Sequence, residues 1–228
     1  MDPKNPPEDF RLVYYFHKKE YLGGAHGLGG NLNILLTSMR LNDFGERVME
    51  WLPMLRGSVL FLLRHMINGN FTTSAGSQRV KLVHFCHGAP GIAPTLARFA
   101  DMFPEIGIQM GIKEVVETAL GHIWKHGVLK KGFGLCHGIS GNAYTFISPS
   151  VQNLLDEKKD EYLKKARLMA LLHEEEDVMK EIRTFNFEDR FVVGRSDEPC
   201  SLMVGVAGDI CFTMDVLQGV GHFPGYDI

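Results

Sequence analysis

Cys136-His137-Gly138-Ile139-Ser140-Gly141 is the stretch on which the reading of this chain turns, because it recurs. Cys86-His87-Gly88-Ala89-Pro90-Gly91 repeats it with both glycines in register. Ala25-His26-Gly27-Leu28-Gly29-Gly30 repeats it again with alanine in place of cysteine. A degenerate fourth copy, Met203-Val204-Gly205-Val206-Ala207-Gly208, keeps the two glycines and puts valine where histidine stood. The histidine-equivalent positions, 26, 87, 137 and 204, are 61, 50 and 67 residues apart. At a rise of about 1.5 Å per helical residue, such a spacing holds one helical hairpin with its loops.

Between the copies the sequence carries helical periodicity. Val48, Leu52, Leu55, Val59, Leu62 and Met66 recur at steps of three and four, as do Ile108, Ile112, Val115, Ala119 and Ile123 in the next interval. Tyr162, Ala166, Met169 and Leu172 do so more briefly in the third. Such steps put one apolar stripe on one helix face. Each copy is also followed by an apolar stretch, at 32–36, 92–103, 143–147 and 207–217, the third interrupted by Pro149. Only 79–85 reads as briefly extended. Each unit is therefore a glycine turn, an inner helix, a connection and an outer helix, and residues 1–228 form one all-α domain. The acidic run at 173–177 reads as a solvated face.

A glycine tolerates positive φ, or lets two backbones approach closely at the mouth of a helix. Either puts the preceding histidine or cysteine on a tight turn, and stacked repeats bring equivalent turns to one face. A single copy could be an ordinary helix-entry loop, but three copies carrying histidine argue for convergence of those side chains. Thiolate and imidazole together suit Zn(II), which in catalytic sites takes three protein ligands and keeps a fourth position open. Cys86, His87, Cys136 and His137 are the four candidates, and the residues alone do not select three. No closely spaced C-x2-C pair of a structural zinc finger is present. Cys200 and Cys211 lack histidine neighbours and are expected to be small buried residues. Four cysteines in 228 residues do not suggest a disulfide scaffold, which favours a reducing compartment.

Hydrophobic residues make up 45% and charged residues 22%, with a net charge of -3. No basic stripe is interleaved with aromatics, so nucleic acid is not an expected partner. Met1-Asp2-Pro3-Lys4 opens without an apolar signal region or a glycine for myristoylation. The most apolar stretch, 51–67, is interrupted by Arg56 and Arg64 and falls short of a membrane span. A cytoplasmic location is the resulting expectation.

Leu82-Val83-His84-Phe85 leading into Cys86-His87-Gly88, and Lys130-Lys131-Gly132-Phe133-Gly134-Leu135 leading into Cys136-His137-Gly138, resemble the two zinc motifs of eukaryotic LanC-like proteins. Residues 20–30, 199–208 and the Phe223-Pro224 ending resemble that family as well. The resemblance implies an α/α toroid, an inner ring of helices inside an outer ring, of which about four of six or seven hairpins are present here. An open arc of that kind would expose inner-helix faces to water. It implies Zn(II) held by Cys86, Cys136 and His137, with His87 serving its turn, and His26 facing the metal as an acid/base. Lys131, and Arg195 after a one-residue gap, resemble glutathione contacts.

The activity so implied is addition of a glutathione thiol to a dehydroamino acid in a protein or peptide. Zinc would hold the thiol deprotonated, and a nearby histidine would protonate the carbon that addition leaves electron-rich. The alternative is a non-catalytic adaptor in signalling that binds zinc and glutathione. A carbohydrate-active toroid would need paired carboxylates where cysteine and histidine stand. Some relatives also suggest peripheral contact with the inner face of the plasma membrane.

Overall fold

The computed structural model describes residues 10–42, 44–129, 131–173 and 198–227. Along the chain come α1 (Leu28–Leu41) and α2 (Val48–Arg64), then a small hairpin of β1 (Met66–Ile67) and β2 (Asn70–Phe71). There follow α3 (Ala89–Met102), α4 (Pro104–Gln109) and α5 (Ile112–His126). The rest is α6 (Ile139–Ile147), α7 (Pro149–Leu154), α8 (Lys159–Ala170) and α9 (Val206–Gln218). The expected repeat is visible at once: the first glycine of each motif copy is the residue that caps α1, α3, α6 or α9.

The glycines are needed mainly for space. A Cβ on Gly141 would lie 1.8 Å from the Leu135 carbonyl oxygen, and one on Gly91 would lie 2.1 Å from that of Phe85. Of the four capping glycines, only Gly88 has the positive φ that disfavours other residues, at 135°. The turns are also stitched to one another through the backbone. The Gly24 N–H donates to the Phe85 carbonyl at 3.1 Å, the Cys86 N–H to that of Cys136 at 3.0 Å, and the Cys136 N–H to that of Met203 at 2.6 Å.

The inner helices follow one another in sequence order, with α1 against α3, α3 against α6 and α6 against α9. Outside them α2 packs on α1, α5 on α3, and α8 on α6 and α9. Among the described residues this is an arc of three hairpins and a fourth inner helix, all-α as the sequence implied. Leu32, Leu36, Ile92, Leu96, Phe99, Leu120, Ile123 and Phe146 are fully buried between the layers. Each such side chain contributes about 1.5–3 kcal/mol when removed from water.

Local departures from the periodic pattern have physical causes. Ile108 does not join the buried stripe of α5. It lies on α4 and is 81% exposed, because Gly111 turns left-handed at φ 63° and restarts the helix at Ile112. Pro149 ends α6 as expected, since α7 begins at the proline itself. Pro94 lies within α3 and has no N–H to donate to Pro90. The Pro90 carbonyl instead accepts the Thr145 hydroxyl of α6 at 3.2 Å, which ties two inner helices together. Residues 79–85 form no strand. Cys200 is exposed and Cys211 half-buried, so neither is the fully buried residue expected of it. Among the described residues no helix is long and apolar enough to cross a membrane. The acidic run from 174 onward lies outside the described residues.

The chain's last residues return to the middle of the arc. The Tyr226 carbonyl accepts from the Asn33 side chain of α1 at 2.7 Å, and its hydroxyl meets Thr95 of α3 at 2.8 Å. Asp227 pairs with Arg98 at 2.6 Å, and Arg98 also donates to Asn33 at 3.0 Å. Phe223 stacks on Phe85 at 4.2 Å. A short carboxy-terminal plug thus joins α1, α3 and the loop before the second glycine turn.

Candidate metal centre

The backbone stitching decides what stands next to what. Because the Cys86 N–H bonds to the Cys136 carbonyl, the two cysteine turns lie side by side. Cys86, Cys136 and His137 then bring one ligand atom each to within 4.8 Å of one another. Two thiols and an imidazole at that separation could hold a metal ion, and among the described residues no other group of three does so. Cys86 is buried and Cys136 half-buried, so the group is partly shielded from water.

The thiols share a proton unevenly. A hydrogen bond from Cys86 holds the Cys136 thiol down at about 6 against its partial burial, helped by a hydrogen bond and the charge of His137 and by the charge of His26. The same bond, together with burial, pushes Cys86 well above the usual thiol range. One sulfur is therefore poised as a thiolate, the form in which cysteine ligates metals.

Histidines surround the pair. His84 Nδ1 lies 4.0 Å from Cys86 Sγ, and its ring is 5.8 Å from that of His137. Burial, then the charges of His137, His87 and Lys131, hold His84 down at about 4. His84 precedes the second glycine turn and carried no predicted role. Its one signal in the sequence was its place two residues before Cys86. His87 stands outside the three-atom group. Its ring packs 5.2 Å from Tyr21 and 5.5 Å from His26, and its buried Nδ1 has no hydrogen-bond partner among the described residues.

His26 is half-buried at the same mouth. Phe16 stacks on it at 5.0 Å with ring planes only 9° apart. That phenyl ring is delivered by a two-residue hairpin turn at His17 and Lys18, both at positive φ (46° and 62°), and closed by paired bonds between Phe16 and Lys19. Neither residue is a glycine or asparagine, the usual occupants of such a turn, so nothing in the sequence announced it. Lys131 is exposed on the same rim, near enough for its charge to act on His84. Arg195 lies outside the described residues.

Comparison with known proteins agrees with this geometry. The family model described as lanthionine synthetase C-like protein matches residues 4–228. The chain is 32% identical over 228 residues to the Danio rerio protein named glutathione S-transferase LANCL1, covering 95% of this chain and 48% of that protein. It is 32% identical over 220 residues to the Arabidopsis thaliana LanC-like protein GCL1, covering 95% of this chain and 46% of that one. The chain thus spans about half the length of these curated relatives. With the family model matched along nearly all of it, and the glycine turns of its sequence capping four successive inner helices, the chain belongs to the lanthionine synthetase C-like family.

Proposed function

We propose that this chain uses a zinc ion, held by Cys86, Cys136 and His137, to activate the thiol of glutathione for addition to dehydroamino acids in proteins or peptides. The observation that carries this reading is the convergence of two thiols and an imidazole within 4.8 Å, with His26 at the same mouth. The donor set suits zinc, because sulfur and imidazole ligands favour it and three protein ligands leave one position for a thiol. When bound, zinc would keep that thiol in its thiolate form at neutral pH. The Danio rerio relative's name, glutathione S-transferase, supports glutathione as the thiol.

The chain's own residues would do the rest. In the addition, sulfur bonds to the β-carbon of the dehydroamino acid and the double-bond electrons move toward the α-carbon. His26 delivers a proton to that carbon, and solvent or the incoming thiol restores it to the imidazole. Phe16 stacked on one face of His26 restrains the tilt of its ring. Lys131 supplies a positive charge on the rim for a carboxylate of glutathione, a role that Arg195 would share. We assign the activity to the cytoplasm, with the inner face of the plasma membrane as a second place of work.

The test is turnover of a dehydroalanine peptide with glutathione, measured alongside metal content. Zinc-loaded protein should form the thioether adduct. His26→Asn should keep its metal and lose about 100-fold in rate, the usual worth of a general acid or base. Full metal with no adduct above the uncatalysed rate would refute the proposal.

A further inference from the structure

The turn of the small hairpin rests on α5. Asn68 and Gly69 join β1 to β2 with φ of 52° and 84°, the left-handed pair that an Asn-Gly turn supplies. A Cβ on Gly69 would lie 2.8 Å from the Cβ of His122, so the turn sits directly against that side chain. The Asn68 carbonyl accepts a hydrogen bond from the His122 ring. One ring nitrogen therefore carries the proton, and in the neutral imidazole the other keeps a free lone pair.

A second imidazole stands beside it. His126 follows four residues on, on the same face of α5, with ring centroids 4.5 Å apart and ring planes inclined by 43°. The helix buries Ile112, Val116, Ala119, Leu120 and Ile123, while His122 is half-buried and His126 exposed. Burial, then the charge of His126, holds His122 below its ordinary value, so its neutral, ligating form prevails at neutral pH. The spacing of the rings fits chelation. With nitrogen about 2.0–2.1 Å from a metal and the ring centre about 1.1 Å behind it, two imidazoles at right angles have centres about 4.5 Å apart, and at the tetrahedral angle about 5.2 Å. The observed separation matches the right angle, which suits the tetragonal geometry of Cu(II) and Ni(II) better than tetrahedral Zn(II).

We propose that His122 and His126 form a second metal site, a two-imidazole clamp on α5 for a tetragonal divalent cation, Cu(II) before Ni(II), with water in the remaining positions. The Asn68 carbonyl is its outer partner, fixing the tautomer and the ring orientation of His122. The charge of Lys125 also reaches His122 and opposes a cation, so binding depends on both imidazoles together. This helix lies in the outer layer on α3, away from the cysteine turns, and the inference does not depend on the thiol chemistry proposed above.

Copper titration of the full chain tests it. The protein is first equilibrated with zinc to occupy the cysteine centre, freed of excess, and then given Cu(II) under electron paramagnetic resonance. The expected result is one Cu(II) with two equatorial nitrogens. Loss of an outer partner alone costs about 10–100-fold in metal affinity, so His122→Gln and His126→Gln should each weaken copper binding about tenfold or more. Both variants should keep the helical spectrum, and His126→Gln changes only an exposed side chain. Ni(II), which shares the geometry without oxidising thiols, should raise the melting midpoint of the parent with concentration and leave that of both variants unmoved. Copper taken up equally by parent and variants, on the cysteines or elsewhere, would overturn the proposal. So would a single equatorial nitrogen, or a parent midpoint that Ni(II) does not move.

Discussion

Removing the carboxylate of Asp227 should cost this protein more than any single apolar truncation at its surface. Arg98 and Asp227 are 5% and 2% exposed, and their atoms meet at 2.6 Å. In Asp227→Ala the guanidinium stays buried, with only the Asn33 oxygen left among the contacts described above. Losing one partner of a buried pair typically costs about 3–5 kcal/mol, because the remaining charge is left desolvated. At about 3 kcal/mol per molar of urea for a chain of this size, that moves the midpoint down by about 1–1.7 M. The double variant Arg98→Met with Asp227→Leu removes both charges and leaves the Asn33 oxygen short of a donor, a loss of about 1–3 kcal/mol. It should therefore be more stable than Asp227→Ala alone. Urea unfolding followed by circular dichroism, on the two variants and the parent, gives both numbers. A double variant no more stable than the single one, or a single variant within about 1 kcal/mol of the parent, would refute the claim that this pair anchors the carboxy-terminal plug.

Further outcomes follow from other parts of the structure. Cys86→Ala and Cys136→Ala should each lose bound zinc by metal analysis while keeping their helical spectrum, and His87→Ala should retain most of its metal. Gly141→Ala forces a Cβ to within 1.8 Å of a carbonyl oxygen and should lose about 3 kcal/mol or more on thermal or urea unfolding. Gly121→Ala, inside α5 with open space around it, should instead gain about 0.5–1 kcal/mol. Burial, then the charge of His126, lowers the pKa of His122 below its ordinary value, although the Asn68 carbonyl pulls the other way. The folded state then binds fewer protons than the unfolded state, so stability is full above about pH 6.5 and falls as the pH drops below it. His122→Gln should flatten that acid slope in urea midpoints measured from pH 7 to pH 5.

Much of this was legible before the structure because a repeated motif reports on itself. Two glycines three residues apart, with histidine in front of three of the four copies, marked four helix starts, and the structure caps a helix at each. Cys86, Cys136 and His137 stood on those turns, and the residues alone left His87 as a fourth candidate. Only the backbone bond from Cys86 to Cys136 brings the first three together. Features without a local signature stayed hidden. Ile108 fitted the helical period, but a left-handed Gly111 outweighed it. Phe16 reaches His26 through a turn whose residues carry no turn preference. Asn33, Arg98, Tyr226 and Asp227 lie far apart along the chain, and a network that joins both ends of a sequence has no period to betray it.

The hydrogen bonds that run from turn to turn through Gly24, Cys86 and Cys136 are all made by the main chain. Side chains at the first motif position are therefore free to vary without unpicking the scaffold, as Ala25 and Met203 already show. The arrangement works as a row of interchangeable sockets. The framework fixes where each socket points, and the residue placed there determines whether that turn offers sulfur, a methyl group or a thioether. In a protein of this design, gaining or losing a metal is a matter of one or two codons, separate from the question of whether the chain folds.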